Sequence, residues 1–327
     1  MNEQVSRAST VAEETPAPFG SAPLRVLIAW QSGQFGDEPI NTAAWLARSL
    51  PLRVRAASTM LRLWPTTSLS KLGRRYKQWL ASETTSYAKS VRRAFTEAGL
   101  AKNSWDKKVG VVLDGPSEST LLTEAAEEFD ADLVIVGSHA AAPKGRFLSG
   151  TTTDSLLHSS PIPLALAPSR IKLSKRGVTR VNVALLDSQD EDNDQVLFFA
   201  GALAHHLRVP LRLAAFSPTG LTEPRLDERI DFSTELSAVW HEHALAMLDR
   251  VRDRLLDHLP DLEIDTVLGS GIGWAGAVDA LKWKKGDLLC MGSTPSGPIE
   301  RVFLGSTAAQ FLPHVPVPVI IHPARNR

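Results

Sequence analysis

The sequence predicts an α/β protein made of two tandem, doubly wound domains, each with a five-stranded parallel sheet. Three observations lead to this prediction: the chain repeats itself, several apolar runs do not alternate with polar residues, and strand and helix patterns follow one another regularly. A length of 327 residues is also sufficient for two domains of ordinary size.

The repeat relates residues 132–170 to residues 287–325, which align without a gap. The starts of the two halves correspond as well, since "LRVLIAWQSG" at 24–33 parallels "TRVNVALLDSQ" at 179–189. A repeat of this length indicates two copies of one folding unit. The matched pairs are Asp132/Asp287, Gly137/Gly292, Ser138/Ser293, Pro143/Pro298, Arg146/Arg301, Gly150/Gly305, Thr152/Thr307, Pro161/Pro316, Pro163/Pro318 and Pro168/Pro323.

Each half shows the order β-α-β-α-β-α-β-α-β. The runs Leu133–Val136 and Leu288–Met291 are apolar throughout, which is typical of parallel strands that helices cover on both faces. Strands are expected near 25–30, 52–58, 108–113, 132–137 and 163–167, and then near 180–186, 210–216, 263–268, 287–292 and 317–321.

Helices are expected near 40–49, 70–99, 117–129 and 151–159, and then near 193–207, 233–258, 273–283 and 306–313. The helix near 233–258 has an apolar stripe at helical spacing, which is expected to face the sheet. The members of this stripe are Leu245, Met247, Leu248, Val251 and Leu255.

Four segments follow from this pattern: a tail at 1–23, a first domain at 24–170, a polar and basic linker at 171–178, and a second domain at 179–327. The tail is rich in Ser, Ala, Glu and Pro and lacks the apolar stretch of a secretory signal, so we expect it to be disordered.

The composition argues against DNA and membranes as partners. Lys+Arg and Asp+Glu both number 36, so no net charge attracts nucleic acid or an anionic membrane surface. No apolar run is long enough to span a bilayer. The single cysteine, Cys290, excludes an internal disulfide and lies in an apolar run, so a buried thiol in a reducing compartment, the cytoplasm, is expected.

The sequence contains no pattern typical of a catalytic centre. Metal-ligand spacing, a Gly-x-Ser-x-Gly elbow and Cys-x-x-Cys are all missing. The adjacent His205 and His206 would point in different directions on a helix. The acidic run at 190–194 lacks the spacing of a calcium loop, and the basic runs at 71–77 and 89–93 fit a solvated helix face. We therefore do not expect an enzyme, although slow ATP hydrolysis stays open.

The loop after the fourth strand of each half is the candidate binding element. A glycine at the strand end allows a tight turn, and residues 150–152 (Gly-Thr-Thr) and 305–307 (Gly-Ser-Thr) open the next helix with free N–H groups and hydroxyls. Arg146 and Arg301 occupy matched positions and could contact a phosphate. A structural explanation stays equally open, in which the hydroxyl residues only cap their helices and the strand-end glycines only serve the turn.

On these residues each half resembles a universal stress protein domain, and the chain resembles a tandem universal stress protein of the bacterial type, over roughly residues 24–170 and 179–325. The resemblance implies an adenine-nucleotide alpha-hydrolase-like fold and a role as a stress-response regulatory or binding module. Nucleotide-binding members show Gly, two residues, Gly, nine residues and Gly-Ser/Thr, which hold the phosphates and ribose of ATP. They also have an Asp after the first strand that contacts the nucleoside. The implied ligand is ATP or a related adenine nucleotide, with or without Mg²⁺.

Both halves depart from that pattern. The second glycine is replaced by Ala140 in the first half and by Pro295 in the second, where the proline also removes an N–H. The acid after the first strand is Asp187 in the second half, whereas the first half has Gln31 near that place. The resemblance gives as candidate nucleotide contacts Gly137, Arg146, Gly150, Thr151, Thr152, Asp187, Gly292, Arg301, Gly305, Ser306 and Thr307.

Three functions stay open at this point. The first is ATP binding in at least one half, and the second is a protein-interaction module with degenerate phosphate loops that binds no nucleotide. The third, an enzyme that hydrolyses or transfers adenylate, is disfavoured because no recognisable acid–base pair accompanies either loop.

Each half ends in a short apolar strand bounded by prolines, "PIPLALAP" and "PVPVIIHP". An apolar edge strand is a liability unless it is paired, and in the resembled family the last strand makes the dimer contact. We therefore expect the two last strands to meet inside one chain and to form a pseudo-two-fold dimer. A further homodimer and an unknown protein partner stay open.

Overall fold

Ten strands make up the sheet structure of this protein in a computed structural model, which describes residues 22–31, 33, 36–61, 73–186, 194–219, 233–293, 302 and 304–323. For residues 194, 219 and 233–238 only the backbone is described. The strands are β1 (Leu24–Ala29), β2 (Leu52–Leu61), β3 (Trp105–Gly115), β4 (Leu133–Gly137), β5 (Leu164–Ala167), β6 (Arg180–Leu185), β7 (Leu211–Thr219), β8 (Ile264–Ile272), β9 (Asp287–Gly292) and β10 (Val319–His322).

Eight α-helices connect these strands in the part of the chain that the structure describes. They are α1 (Glu38–Leu46), α2 (Gly73–Glu97), α3 (Glu118–Glu128), α4 (Thr151–Leu157), α5 (Asp194–Leu207), α6 (Ser233–His258), α7 (Gly273–Asp279) and α8 (Ser306–Phe311). The strands and helices expected from the sequence are therefore all present, with ends that differ by a few residues.

The ten strands form one sheet in the order β3-β2-β1-β4-β5-β10-β9-β6-β7-β8. Neighbouring strands within each half are parallel. In the first half the chain runs from β1 outwards to β2 and β3 and then returns to the other side of β1 with β4. The second half repeats this path with β6 in the place of β1. The predicted doubly wound, parallel-sheet fold is confirmed.

Helices cover both faces of this sheet. The core on one face includes side chains of α1, α2, α5 and α6, and the core on the other face includes side chains of α3, α4, α7 and α8. Strand β1 contributes to both cores, because Val26 and Ile28 point to the first and Leu27 to the second. This two-sided burial explains why the strand runs are apolar without alternation.

The two halves join through β5 and β10, which pair antiparallel with Val319 opposite Leu166, Ile320 opposite Ala165 and Ile321 opposite Leu164. Each of these strands is the edge of its own half and becomes an inner strand of the joint sheet. The pairing satisfies the backbone N–H and C=O groups of two apolar edges at once. It confirms the expected pseudo-two-fold arrangement within one chain.

One residue of the predicted apolar stripe on α6 faces away from the sheet. Leu245 is 43% exposed, whereas Met247, Leu248, Val251 and Leu255 are buried. Ala244 takes the missing place, since positions 244, 248, 251 and 255 share one face of a helix with 3.6 residues per turn. The expectation that Leu245 faces the sheet was therefore wrong.

Other sequence expectations concern single residues. Cys290 is fully buried on β9, as expected. Among the described helices none is long and apolar enough to cross a membrane.

Candidate functional site

The candidate site lies where the strand order of the first half reverses. Strands β1 and β4 are neighbours, yet the chain leaves them towards opposite sides of the sheet. In open parallel sheets this switch point leaves a crevice at the carboxyl ends of the strands. A cleft of about 620 Å³ lies there, and its lining includes Ala29 at the end of β1, Ala57 in β2, and Val136 and Gly137 at the end of β4.

Trp30 forms one wall of this cleft directly after β1. Its indole Nε1 donates to Asp37 Oδ1 at 3.0 Å, and its carbonyl accepts a hydrogen bond from Tyr87 Oη at 2.6 Å. Burial raises the pKa of the Tyr87 phenol well above its usual value, so this donor keeps its proton at neutral pH. The wall is therefore fixed by two hydrogen bonds before any ligand binds.

Gln31 lies near the position of the acid in the resembled pattern. Gln31 lines the cleft next to Trp30 and offers an amide, which can both donate and accept. Asp187, the corresponding acid in the second half, lies outside the described residues.

The turn at Gly137 depends on a close contact with α1. A Cβ atom at position 137 would lie 3.0 Å from Pro39 Cγ, closer than ordinary packing allows. This contact supports the structural reading of Gly137 and also brings both residues to the wall of the cleft. A larger side chain here would push α1 away from the carboxyl end of β4.

The loop after β4 is closed by hydrogen bonds at its base. The N–H of His139 donates to the carbonyl of Leu148 at 2.7 Å, and the N–H of Leu148 donates to Ser138 Oγ at 2.9 Å. This closure sets the end of β4 beside the start of α4, so that Gly137 and Gly150 line the same cleft. The described residues thus bring together the two ends of the predicted loop motif in the first half.

The replacement of the second motif glycine by Ala140 introduces no backbone strain. The described non-glycine residues with positive φ are Asp130, Arg170 and Arg208, so Ala140 is not one of them. Within this loop it is Gly145 that adopts a positive φ, of 75°. The equivalent Pro295 of the second half lies outside the described residues.

The start of α4 presents polar groups to the cleft. Gly150 is the N-cap residue, and it has no side chain that could accept a hydrogen bond from the first turn of α4. The alternative in which a hydroxyl residue caps this helix is thus not what the structure shows. Thr151 is exposed and lines the cleft, whereas the hydroxyl of Thr152 donates to the carboxylate of Glu118 on α3.

The sequence patterns did not predict the negative charge of the cleft. Among its described lining residues are two carboxylates, Glu118 and Asp154, and neither a lysine nor an arginine. His139 is the lining side chain that could carry a positive charge, and its ring carbon Cδ2 would lie 3.5 Å from a Cβ atom on Gly150. The position of Glu118 at the start of α3, just after β3, was a signal available in the sequence.

Arg146 does not join this cleft. One Nη atom donates to the carbonyl of His314, and the other lies 3.1 Å from Asp279 Oδ1. Both partners belong to the second half. The phosphate contact expected of Arg146 is therefore replaced in the structure by contacts that tie the two halves together.

The predicted contacts of the second half are described only in part. Gly292 ends β9, Gly305 is the N-cap residue of α8, and Ser306 and Thr307 begin that helix. Arg301 lies outside the described residues. The segment before α8 is held by the first half, since the N–H groups of Val302 and Leu304 donate to the carbonyls of Ser160 and Leu157 at 2.7 and 3.0 Å.

Comparison with known proteins gives one consistent result. The family model described as "Universal stress protein family" matches residues 25–168 and again residues 178–323. Universal stress proteins of Mycobacterium tuberculosis (strain ATCC 25618 / H37Rv) and Mycobacterium bovis are each 27% identical over 301 residues, which cover 92% of this chain and all of the relative. The crystal structure of a universal stress protein from Archaeoglobus fulgidus DSM 4304 superposes with a TM-score of 0.59 at 16% identity, covering 91% of this chain and 97% of that one.

Proposed function

The chain belongs to the universal stress protein family, and from that premise we propose that it is a binding module of the stress response whose first half binds ATP or a related adenine nucleotide. The observation that carries the proposal is the cleft of about 620 Å³ at the switch point between β1 and β4. Its volume lies within the usual range of small-molecule sites, about 300–1,000 Å³.

The lining fits a nucleotide in two ways. Trp30 and Gln31 at the end of β1 supply an aromatic wall and an amide for the nucleoside. The segment from Gly150 to Thr152 supplies backbone N–H groups and the Thr151 hydroxyl for phosphate oxygens. The loop between β4 and α4 needs no positive φ at Ala140, so the replacement of the motif glycine by alanine is compatible with the cleft.

The carboxylates of the cleft make a bound cation part of the proposal. Glu118 and Asp154 would repel the phosphates of free ATP, and no lysine or arginine among the described lining residues offsets them. Magnesium is commonly held by one or two carboxylates together with nucleotide phosphates. We therefore expect the ligand to be the magnesium complex, with Glu118 and Asp154 as the protein groups facing the ion.

A role in binding rather than catalysis follows from the same residues. The described lining offers groups that hold a ligand, namely an amide, hydroxyls, backbone N–H groups and two carboxylates. The proposed activity is thus ligand-dependent regulation, through a partner that is still to be identified.

The alternative is a protein-interaction module that binds no nucleotide. The contacts of Arg146 with Asp279 and His314 favour it, because the one arginine of the first loop serves the joint between halves. The two lining carboxylates favour it as well. The two functions differ in one measurable property, the affinity for MgATP.

The test is calorimetric titration of the full chain with MgATP, together with chromatography of nucleotide released from freshly purified protein by denaturation. Thr151→Glu adds a negative charge to the cleft wall, and we expect it to weaken MgATP binding by about tenfold or more. Ser306→Glu is the matched control at the start of α8 and should leave the first-half site unchanged. Absence of binding at millimolar MgATP, with no nucleotide released, would establish the interaction module instead.

A further inference from the structure

A second cleft, of about 340 Å³, lies at the junction of the two halves. Four segments form it: residues 144–145 of the loop after β4, residues 170–172 after β5, residues 283–285 before β9 and residues 316–318 before β10. It shares no described lining residue with the cleft at β1 and β4. The antiparallel pairing of β5 with β10 creates it, because that pairing sets the end of one strand beside the start of the other.

The lining of this junction cleft is strongly cationic. Five of its eleven described residues are basic, and none of the eleven carries a carboxylate. All five basic residues are exposed, and the four lysines make no ion pair with a carboxylate of the described part of the chain. Like charges at such proximity repel one another, in a protein whose net charge is zero. The basic residues are Lys144, Arg170, Lys172, Lys284 and Lys285.

The segment at 282–285 carries a positive charge that the matching segment of the first half lacks. Residues 127–130 read Glu-Glu-Phe-Asp, and the matching residues 282–285 read Lys-Trp-Lys-Lys. In the first half Glu128 lies 3.2 Å from Lys108 Nζ and 3.7 Å from an Nη atom of Arg55. Of the cleft lysines, Lys285 thus stands where the first half has the acid Asp130, and Lys284 stands where it has Phe129.

The fold does not need these lysine side chains. Arg180 and Arg212, on β6 and β7, hold the segment through the backbone carbonyl of Lys282, at 3.0 and 3.3 Å. The buried carboxylate of Asp287 accepts two further hydrogen bonds from Arg180, at 3.0 and 2.6 Å. The segment is therefore fixed by backbone and arginine contacts, and the exposed Lys284 and Lys285 line the cleft.

Trp283 gives the cleft a rigid apolar wall. Its indole Nε1 donates to the carbonyl of Val278 at 2.9 Å, and the guanidinium carbon of Arg212 lies 4.8 Å from the centre of its ring. Pro316, Val317 and Pro318 complete the apolar part. A preformed site of this volume suits a compact ligand, at the lower end of the range for small-molecule sites.

We propose that the junction cleft binds a small molecule that carries several phosphate groups, held by lysines from both halves. Lysine ammonium groups act as point charges towards phosphate oxygens, and several of them around one cleft match a ligand with several charges. Because both halves and the linker contribute cations, such a ligand would also strengthen the joint between the halves. This inference is independent of nucleotide binding at β1 and β4.

The experiment is calorimetric titration of the full chain with inorganic tripolyphosphate at low ionic strength, in a Thr151→Glu background that adds repulsion in the other cleft. The test variant is Lys284→Ala/Lys285→Ala, and a second test variant, Lys144→Ala/Lys172→Ala, removes cations from the first half and the linker. The matched control is Lys89→Ala/Arg92→Ala, which removes two exposed cations from α2. ATP, titrated in the same background, distinguishes a free polyphosphate from a nucleotide as the source of the phosphate groups.

We expect the control to bind tripolyphosphate as the parent does. Each test variant should bind it with an affinity at least about tenfold lower. The parent's affinity should fall as salt is added, because exposed charges are screened. Tighter binding of ATP than of tripolyphosphate, lost in Lys284→Ala/Lys285→Ala, would support a nucleotide as the ligand of the junction cleft. The proposal is overturned if the test variants bind like the control, or if the parent shows no binding at millimolar tripolyphosphate.

Discussion

The guanidinium of Arg146 and the carboxylate of Asp279 lie 3.1 Å apart, although 133 positions separate them in the sequence. The contact joins the loop after β4 to α7 of the second half. Arg146, which the loop motif predicts to contact a phosphate, therefore contacts the second half instead. The first prediction tests this position.

Arg146→Ala should lower the free energy of unfolding by about 1 kcal/mol and leave MgATP affinity unchanged. The loss includes a partly exposed ion pair and a charge-assisted hydrogen bond to the His314 carbonyl, each of modest value at the surface. Urea denaturation measures the first quantity and calorimetry the second. Asp279→Asn serves as comparison, since it removes only the ion pair. A tenfold loss of MgATP affinity in Arg146→Ala would contradict the position seen for this side chain.

Glu118→Gln should raise the affinity for ATP without magnesium and reduce the gain that magnesium brings. The variant removes one repelling charge from the cleft, worth on the order of 0.5–1 kcal/mol at a partly solvated site. It keeps an acceptor oxygen for Thr152. The measurement is calorimetry with and without Mg²⁺. Glu124→Gln, on the exposed side of the same helix, is the control. If both variants bind ATP equally well, with and without Mg²⁺, Glu118 has no role in nucleotide binding.

Leu166→Ala should cost about 2–5 kcal/mol of unfolding free energy, because it leaves a cavity where the two halves meet. Leu166 is fully buried on β5 and lies opposite Val319 of β10. Ile272→Ala removes a similar volume from a side chain that is 86% exposed, and should cost less than about 0.5 kcal/mol. Urea unfolding followed by fluorescence and by circular dichroism compares them. A loss of less than 1 kcal/mol in Leu166→Ala would argue against this junction.

Cys290 should resist thiol reagents in the folded protein and react fully in denaturant. Burial raises the pKa of its thiol to about 12, so the reactive thiolate is scarce at neutral pH. Because the folded pKa lies above that of a free thiol, about 8.5, stability should fall as the pH rises through the window between these values. Labelling kinetics at pH 8, and unfolding at pH 7 and 10 against Cys290→Ala, measure both effects. Rapid labelling of the folded chain would contradict the burial of this side chain.

Much of the candidate site followed from the sequence, because the motif is local. The repeat placed Gly137 and Gly150 at the two ends of one loop, and a strand end and a helix start in a parallel sheet meet at the same edge. The structure brings both to one cleft. The partners of Arg146 could not be inferred, since they come from elements more than 130 positions away.

The sequence by itself determined the order of strands and helices, the duplication and the pairing of the two last strands. These features follow from apolar periodicity, the spacing of the repeat and the need of an apolar edge for a partner. The tertiary structure alone decided that Ala244 and not Leu245 faces the sheet from α6, and which charged side chains line each cleft. Those outcomes depend on long-range packing, because a side chain's neighbours across the sheet are set by how whole elements dock and not by its own place in the chain.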